Sequence, residues 1–407
     1  MTMTRRAWVA AAGTAAATSA AWPRPGTAEP GPASSPAPLP PALGPDVFRD
    51  RQAKLAASAK ARGLDALFLT PSTNLAWSAN LAIGRSERLT ALILPVDGPA
   101  VLVTPNFEAE NHRRDVVATE VVTWNEDDDP MALAARALGR AKTIGIEGST
   151  AYHTATLLSS AVGSSASMQD ATAVFDALRM VKSPEERALI RDAANRTILA
   201  IEGSHRKLAR GMTESELSAI LEQEFRKLGV KGGGLVQFGP SAALPHGAPG
   251  DRALERGDVV LIDAGCKVRG YTSDVTRTVC FGSPKDEVRK VYDTVDRAQR
   301  AGIEALRAGA WGEEVDKAAR RVIDEAGYGA FFTHRLGHGL GMDGHEPPYL
   351  VRGNTVPLIA GNTVTVEPGI YIPGKFGVRI EDDFAVSASG APEGLSTRPG
   401  ALKVLPV

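Results

Sequence analysis

Cysteine is almost missing from this 407-residue chain: the only two, Cys266 and Cys280, exclude the disulfide framework that staples many small secreted domains. Charge of one sign is missing too. Lys and Arg number 46 against 47 Asp and Glu, a formal net charge of −1, so no broadly basic surface is available to hold nucleic acid. No uninterrupted apolar run reaches the roughly 20 residues that span a bilayer, which argues against stable membrane insertion. What is present is ordinary for a globular protein, with 43% hydrophobic and 23% charged residues. The length exceeds the roughly 100–200 residues of one typical domain and predicts two.

The N-terminal stretch carries paired arginines, Arg5 and Arg6, then an Ala-rich apolar run from Ala7 to Trp22 and small residues at Ser19–Ala21 and Thr27-Ala28. It resembles a twin-arginine export signal over residues 1–28 and predicts a periplasmic or extracellular protein. Pro, Ala, Gly and Ser crowd the residues that follow, so 29–45 reads as a flexible linker with folded structure starting near Asp46. A helix is expected over Val47–Gly63 and another across Pro130–Ala141. Strands are expected at Ala66–Leu69, Leu89–Pro95, Ala100–Thr104, Val116–Trp124 and Thr143–Glu147. This alternation implies an α/β domain over 46–180.

A second domain, 181–407, opens where Ser183 can cap a helix with Pro184 at its first position and Glu185 and Glu186 in its first turn. That helix is expected to reach about Arg210. Thr213 and Glu216 have capping-box spacing and predict another to Leu228. Beyond Gly229 the chain turns strand-rich and glycine-rich, with one more helical region over about Lys285–Ala326, interrupted near Gly309.

Acids ending apolar runs carry the chemistry. The run Val259–Ile262 ends in Asp263, a second run contains Asp274, and together they suggest a β-hairpin. If these acids pair across it, their carboxylates share one face and repel unless a cation lies between them. The same pairing would set Cys280 opposite Gly257 and Cys266 opposite Tyr271, so two buried, reduced cysteines are expected. Three of the seven histidines, His334, His338 and His345, crowd one glycine-rich segment. Glu367 closes the alternating stretch Thr363–Val366 and Glu381 ends Val378–Ile380, where a carboxylate is costly to bury without a partner. Asp263, Asp274, His338, Glu367 and Glu381 thus form an oxygen-rich donor set whose −4 charge suits two divalent ions: Mn²⁺ first, with Co²⁺ and Zn²⁺ as alternatives. Ions held there would acidify a water and stabilise an oxyanion, which is hydrolytic chemistry.

The segments Asp263–Gly265, Gly270–Thr278, His334–Gly341, His345–Pro348, Val366–Tyr371 and Arg379–Asp382 resemble, in order, the motifs of pita-bread metallopeptidases, and within them aminopeptidase P and prolidase. The resemblance implies an α/β N-terminal domain followed by an α+β pita-bread catalytic domain. It implies Asp263 on one metal, His338 and Glu367 on the other, and Asp274 and Glu381 bridging. It further implies that His246 and His345 contact substrate, that His334 and Arg379 lie beside ligands or substrate, and that Glu367 hands a proton to the leaving proline nitrogen. The implied activity is cleavage of the Xaa-Pro bond at the N-terminus of peptides, by a homodimer. Some prolidases carry an arginine where this chain has Tyr349. Its absence leans toward longer peptides, with the Xaa-Pro dipeptidase as the alternative and Arg352 as a substitute cation. A metal-free creatinase-like hydrolase and a non-catalytic binding module share this fold, and the intact donor set argues against both.

Overall fold

Short apolar runs bounded by turn residues become the strands of a six-stranded mixed sheet in the first half of the protein. The computed structural model describes residues 38–247 and 250–407, so the expected export signal lies outside the described residues. The elements in order are α1 (Pro45–Ala61), β1 (Ala66–Leu69), α2 (Thr73–Ala79), β2 (Ala91–Pro95), β3 (Val101–Pro105), α3 (Ala109–Asp115), β4 (Glu120–Trp124), α4 (Pro130–Leu138), β5 (Thr143–Ile146), α5 (Tyr152–Val162), β6 (Ser167–Asp170) and α6 (Thr172–Arg179). Strand order is β4-β3-β2-β1-β5-β6, with antiparallel pairs at β1–β2 and β2–β3 and parallel pairs elsewhere. The sheet is covered on both faces, since Leu67 and Leu69 of β1 join one apolar cluster while Ala66 and Phe68 join another.

The second half begins with α7 (Pro184–His205) and α8 (Glu214–Lys227). Both open with the capping boxes read from sequence, Ser183 with Glu186 and Thr213 with Glu216. Helix α7 stops short of Arg210, before Gly211 takes a left-handed φ of 84°. Then come β7 (Gly232–Phe238), β8 (Val259–Val268), β9 (Tyr271–Thr272), β10 (Val275–Phe281), α9 (Asp286–Ala305), α10 (Gly312–Glu325), β11 (Gly337–Gly339), β12 (Glu346–Leu350), β13 (Thr363–Val366), β14 (Gly369–Ile372), β15 (Phe376–Arg379), β16 (Asp382–Ala385), β17 (Glu393–Gly394) and β18 (Val404–Leu405). One sheet runs β18-β10-β8-β7, another β12-β11-β13-β16-β17, and β14 pairs with β15.

Strand β8 is the hinge of this packing because its two faces serve different cores. Val260, Ile262 and Ala264 pack with α7 and α8, whereas Val259 and Leu261 pack with α9, α10 and β13–β16. Asp263 continues the second face one step beyond Leu261, so the alternation of the strand aims its carboxylate at the other sheet. Leu39 and Leu43, assigned by composition to a linker, pack against the α7–α8 cluster, and Arg269 donates to the Pro40 carbonyl at 3.0 Å.

Candidate metal centre

The hairpin that carries the two aspartates is closed by Arg269 and Gly270, both left-handed at φ 51° and 90°. A two-residue turn of this type sets Val268 opposite Tyr271 and fixes every later pair. Asp263 therefore faces Thr276, two residues from the expected partner Asp274, and Cys280 faces Val259 rather than Gly257. A shift of two preserves the face. Asp274 lies in the bend between β9 and β10, its backbone N–H donating to Asp383 at 3.1 Å, and it still reaches the Asp263 side. Both cysteines are buried and free.

His338 sits between two glycines for a steric reason. A Cβ at position 337 would come within 2.1 Å of the Thr365 carbonyl, and one at 339 within 2.4 Å of the Glu346 carbonyl. Only glycine lets β11 run close enough to β12 and β13 to seat the imidazole. Its Nδ1 lies 3.1 Å from the Gly339 carbonyl, which assigns the proton there and leaves the Nε2 lone pair facing Glu367 at 3.3 Å and Asp274 at 3.7 Å. Burial pushes the His338 pKa down to about 3, so the ring is neutral and does nothing to balance the acids around it.

The donor atoms converge in overlapping groups, each within 4.8 Å: Asp263, Asp274 and Glu381; His338, Glu367 and Glu381; and Asp274, His338 and His345. Asp274, His338 and Glu381 each belong to two groups, and of these only the two carboxylates offer a pair of oxygens that two ions could share. Burial first, then neighbouring carboxylates, raises Asp274 and Glu381 well above the ordinary carboxyl range, and burial pushes Glu367 up to about 8. Arg379 is the cation set directly against them. It donates to Asp263 at 2.5 Å, to Thr276 at 3.1 Å and to the Tyr371 hydroxyl at 2.8 Å, and stands 3.9 Å from Glu381. One guanidinium cannot balance four crowded carboxylates once they ionise, and this donor set fits hard or borderline divalent cations.

Sequence reading missed several side chains that hold the site in shape. Thr276 donates to Glu381 at 2.6 Å, and the Tyr371 hydroxyl bridges Arg379 and His334 Nε2, the latter at 2.8 Å. Nothing marks Thr or Tyr in a strand as special, so only the fold reveals them. His345 lies against His338 with ring centroids 3.9 Å apart and planes tilted by 47°. His246 is exposed beyond Ala243, and after burial, the main cause, it is among the neighbours that lower the pKa of His334 and His345. Arg352 is exposed in the loop after β12.

The model of the metallopeptidase family M24 matches residues 188–388, and that of the creatinase/prolidase N-terminal domain matches 51–181. A probable dipeptidase PepE of Mycobacterium tuberculosis is 37% identical over 377 residues, covering 89% of this chain and 98% of the relative. The chain belongs to metallopeptidase family M24. As an M24 enzyme it is a metal-dependent peptidase, with an α/β N-terminal domain followed by a pita-bread catalytic domain. Among solved structures, dipeptidase PepE from Mycobacterium ulcerans superposes with a TM-score of 0.84 at 36% identity, covering 90% of this chain and 100% of that one. An Xaa-Pro dipeptidase from Bacillus anthracis gives 0.81 at 31% identity, covering 88% and 100%.

Proposed function

We propose that this M24 peptidase is an Xaa-Pro dipeptidase working with two divalent ions, Mn²⁺ foremost, held by Asp263, Asp274, His338, Glu367 and Glu381. The observation that carries the metal chemistry is the convergence of these five side chains, four of them carboxylates with a single arginine against them. Dipeptides take precedence over longer peptides because the relatives named above, similar over nearly their full length, are called dipeptidases. Proline preference is supported by the Xaa-Pro dipeptidase among them. Bound ions would supply an acidified water and an electrophile for the peptide carbonyl. Neutral His338 offers its Nε2 as a ligand, and Arg379 and Thr276 fix the orientation of Asp263 and Glu381. In this reading His345 and His246 donate to the carbonyl oxygen as its charge grows, and Glu367 passes a proton to the departing proline nitrogen. Export through the Arg5-Arg6 segment and assembly as a homodimer belong to the same proposal.

Measuring kcat/KM for Ala-Pro, Ala-Pro-Ala and Ala-Ala on the Mn²⁺-loaded protein tests it. Ala-Pro is expected to be the best of the three. A clear preference for Ala-Pro-Ala would return the enzyme to the aminopeptidase P reading, and efficient cleavage of Ala-Ala would remove the proline requirement.

A further inference from the structure

A dipeptidase must neutralise the free carboxylate of its substrate, and the distance available is short. The carboxylate lies one residue beyond the scissile carbonyl, a span of at most roughly 3.6 Å. The cation that receives it must therefore border the cluster of ligands itself. Arg379 is buried and committed to Asp263, Thr276 and Tyr371. Lys267 donates to the Met342 carbonyl at 2.8 Å. Arg352 is exposed and has no contact with the cluster among the described residues.

Arg335 is different. Its guanidinium lies over the Tyr349 ring, 4.5 Å from the centroid, with Nη2 3.5 Å from His345 Nδ1. His345 in turn lies against the proposed ligand His338, ring to ring. The positive charge bears on Glu367, His338 and His345. No carboxylate among the described residues forms an ion pair with it, although it borders the most acidic part of the molecule. Its main chain is held on both sides: the Arg335 carbonyl accepts from His334 Nδ1 at 2.7 Å, and the Leu336 N–H donates to Asp316 at 3.0 Å. Tyr349 supports the guanidinium from below by cation–π contact, which keeps the fork oriented without using its donors.

We infer that Arg335, stacked on Tyr349 and set against His345, receives the C-terminal carboxylate of a dipeptide substrate and so determines substrate length. This rests on the dipeptidase reading. It also reverses the meaning of Tyr349, which becomes the platform for a cation arriving from β11's approach segment instead of the mark of a missing one.

The test compares Ala-Pro with Ala-Pro amide, which lacks the negative charge, on the metal-loaded full chain, and reads the ratio of their kcat/KM values. The wild type is expected to favour the free acid. Arg335→Met should lower that acid-to-amide ratio by about 10–100-fold, the worth of a hydrogen bond between charged groups, and chiefly through KM for Ala-Pro. Arg335→Lys should fall between, since lysine restores the charge without the two-pronged geometry. If Arg335→Met is inactive on both substrates, the Lys variant carries the same comparison. A ratio unchanged from wild type in the variant assayed, whatever the absolute rates, overturns the role of Arg335 while leaving the dipeptidase reading intact. A wild type that cleaves the amide as well as the acid overturns the dipeptidase reading itself, and this role with it.

Discussion

Three imidazoles, two buried and one half-buried, show how one physical cause has different consequences according to what faces the ring. Burial is the main reason that the pKa values of His338, His334 and His205 fall to about 3, 4 and 3. His338 turns its free lone pair toward Glu367 and Asp274, and His334 turns its own toward Tyr371. His205, at the end of α7, leaves Nε2 without a partner among the described residues and lies near the positive charges of Lys403, Arg277 and Arg206. In the unfolded chain the same ring titrates near 6.5. Its folded pKa is the lower one, so between pH 6.5 and 3 the unfolded state binds more protons, and stability is lost as pH falls through that window. Wild type should therefore lose up to about 2 kcal/mol more than His205→Leu between pH 7 and pH 5. Urea denaturation of both proteins at the two pH values, in the same metal state, measures this. Equal losses would mean that His205 is not held neutral by the fold.

At the scale of elements, the proposed ligands stand out in the sequence because each acid interrupts or ends a strand-like apolar run, where an isolated carboxylate is costly. The register of their hairpin does not, since pairing Asp263 with Asp274 ignores the turn at Arg269-Gly270 that decides it. Helices α2 and α3 escaped notice because each spans only 7 residues and shows little periodicity. The contacts between the N-terminal half and the loop before β12 were also hidden, as they join residues far apart in the chain. Thr73 donates to Asp343 at 2.6 Å, Arg179 pairs with Asp343 and Glu346 at 2.6 Å each, and Lys182 pairs with Glu346 at 2.5 Å. Glu346 follows His345 directly, so this network ties the creatinase-type domain to a residue of the site. Lys182 is 2% exposed and Glu346 6%, and burial lowers the lysine's pKa while Glu346 works to raise it. Removing one member of a buried pair strands the other's charge, and Lys182→Met should cost about 3 kcal/mol. Chemical denaturation reads that cost. A loss below about 0.5 kcal/mol, the scale of an exposed pair, would show that Arg179 alone satisfies Glu346.

Seen across the whole molecule, a net charge of −1 conceals a concentration of acid where the two sheets of the catalytic domain meet. Asp263 and Asp274 come from one hairpin, while His338, Glu367 and Glu381 come from the other sheet and its neighbouring strands. The same carboxylates that join the halves through a cation would push them apart without one. In the metal-free protein Asp274 and Glu381 are raised well above the ordinary carboxyl range, and Glu367 to about 8. Their folded pKa values exceed the unfolded ones, so the protons they hold stabilise the metal-free fold at low pH, and that contribution disappears as pH rises through the folded values. Glu367, pushed up to about 8, loses this contribution as pH rises from the ordinary carboxyl range through 8. Bound cations remove this loss, because the ionised carboxylates are then neutralised, and their affinity rises with pH as fewer protons compete. Calorimetric unfolding of chelated and Mn²⁺-loaded protein should therefore show a gap in Tm that widens from pH 6 to pH 8. A gap that stays constant or narrows would mean that the ions bind somewhere other than among these carboxylates.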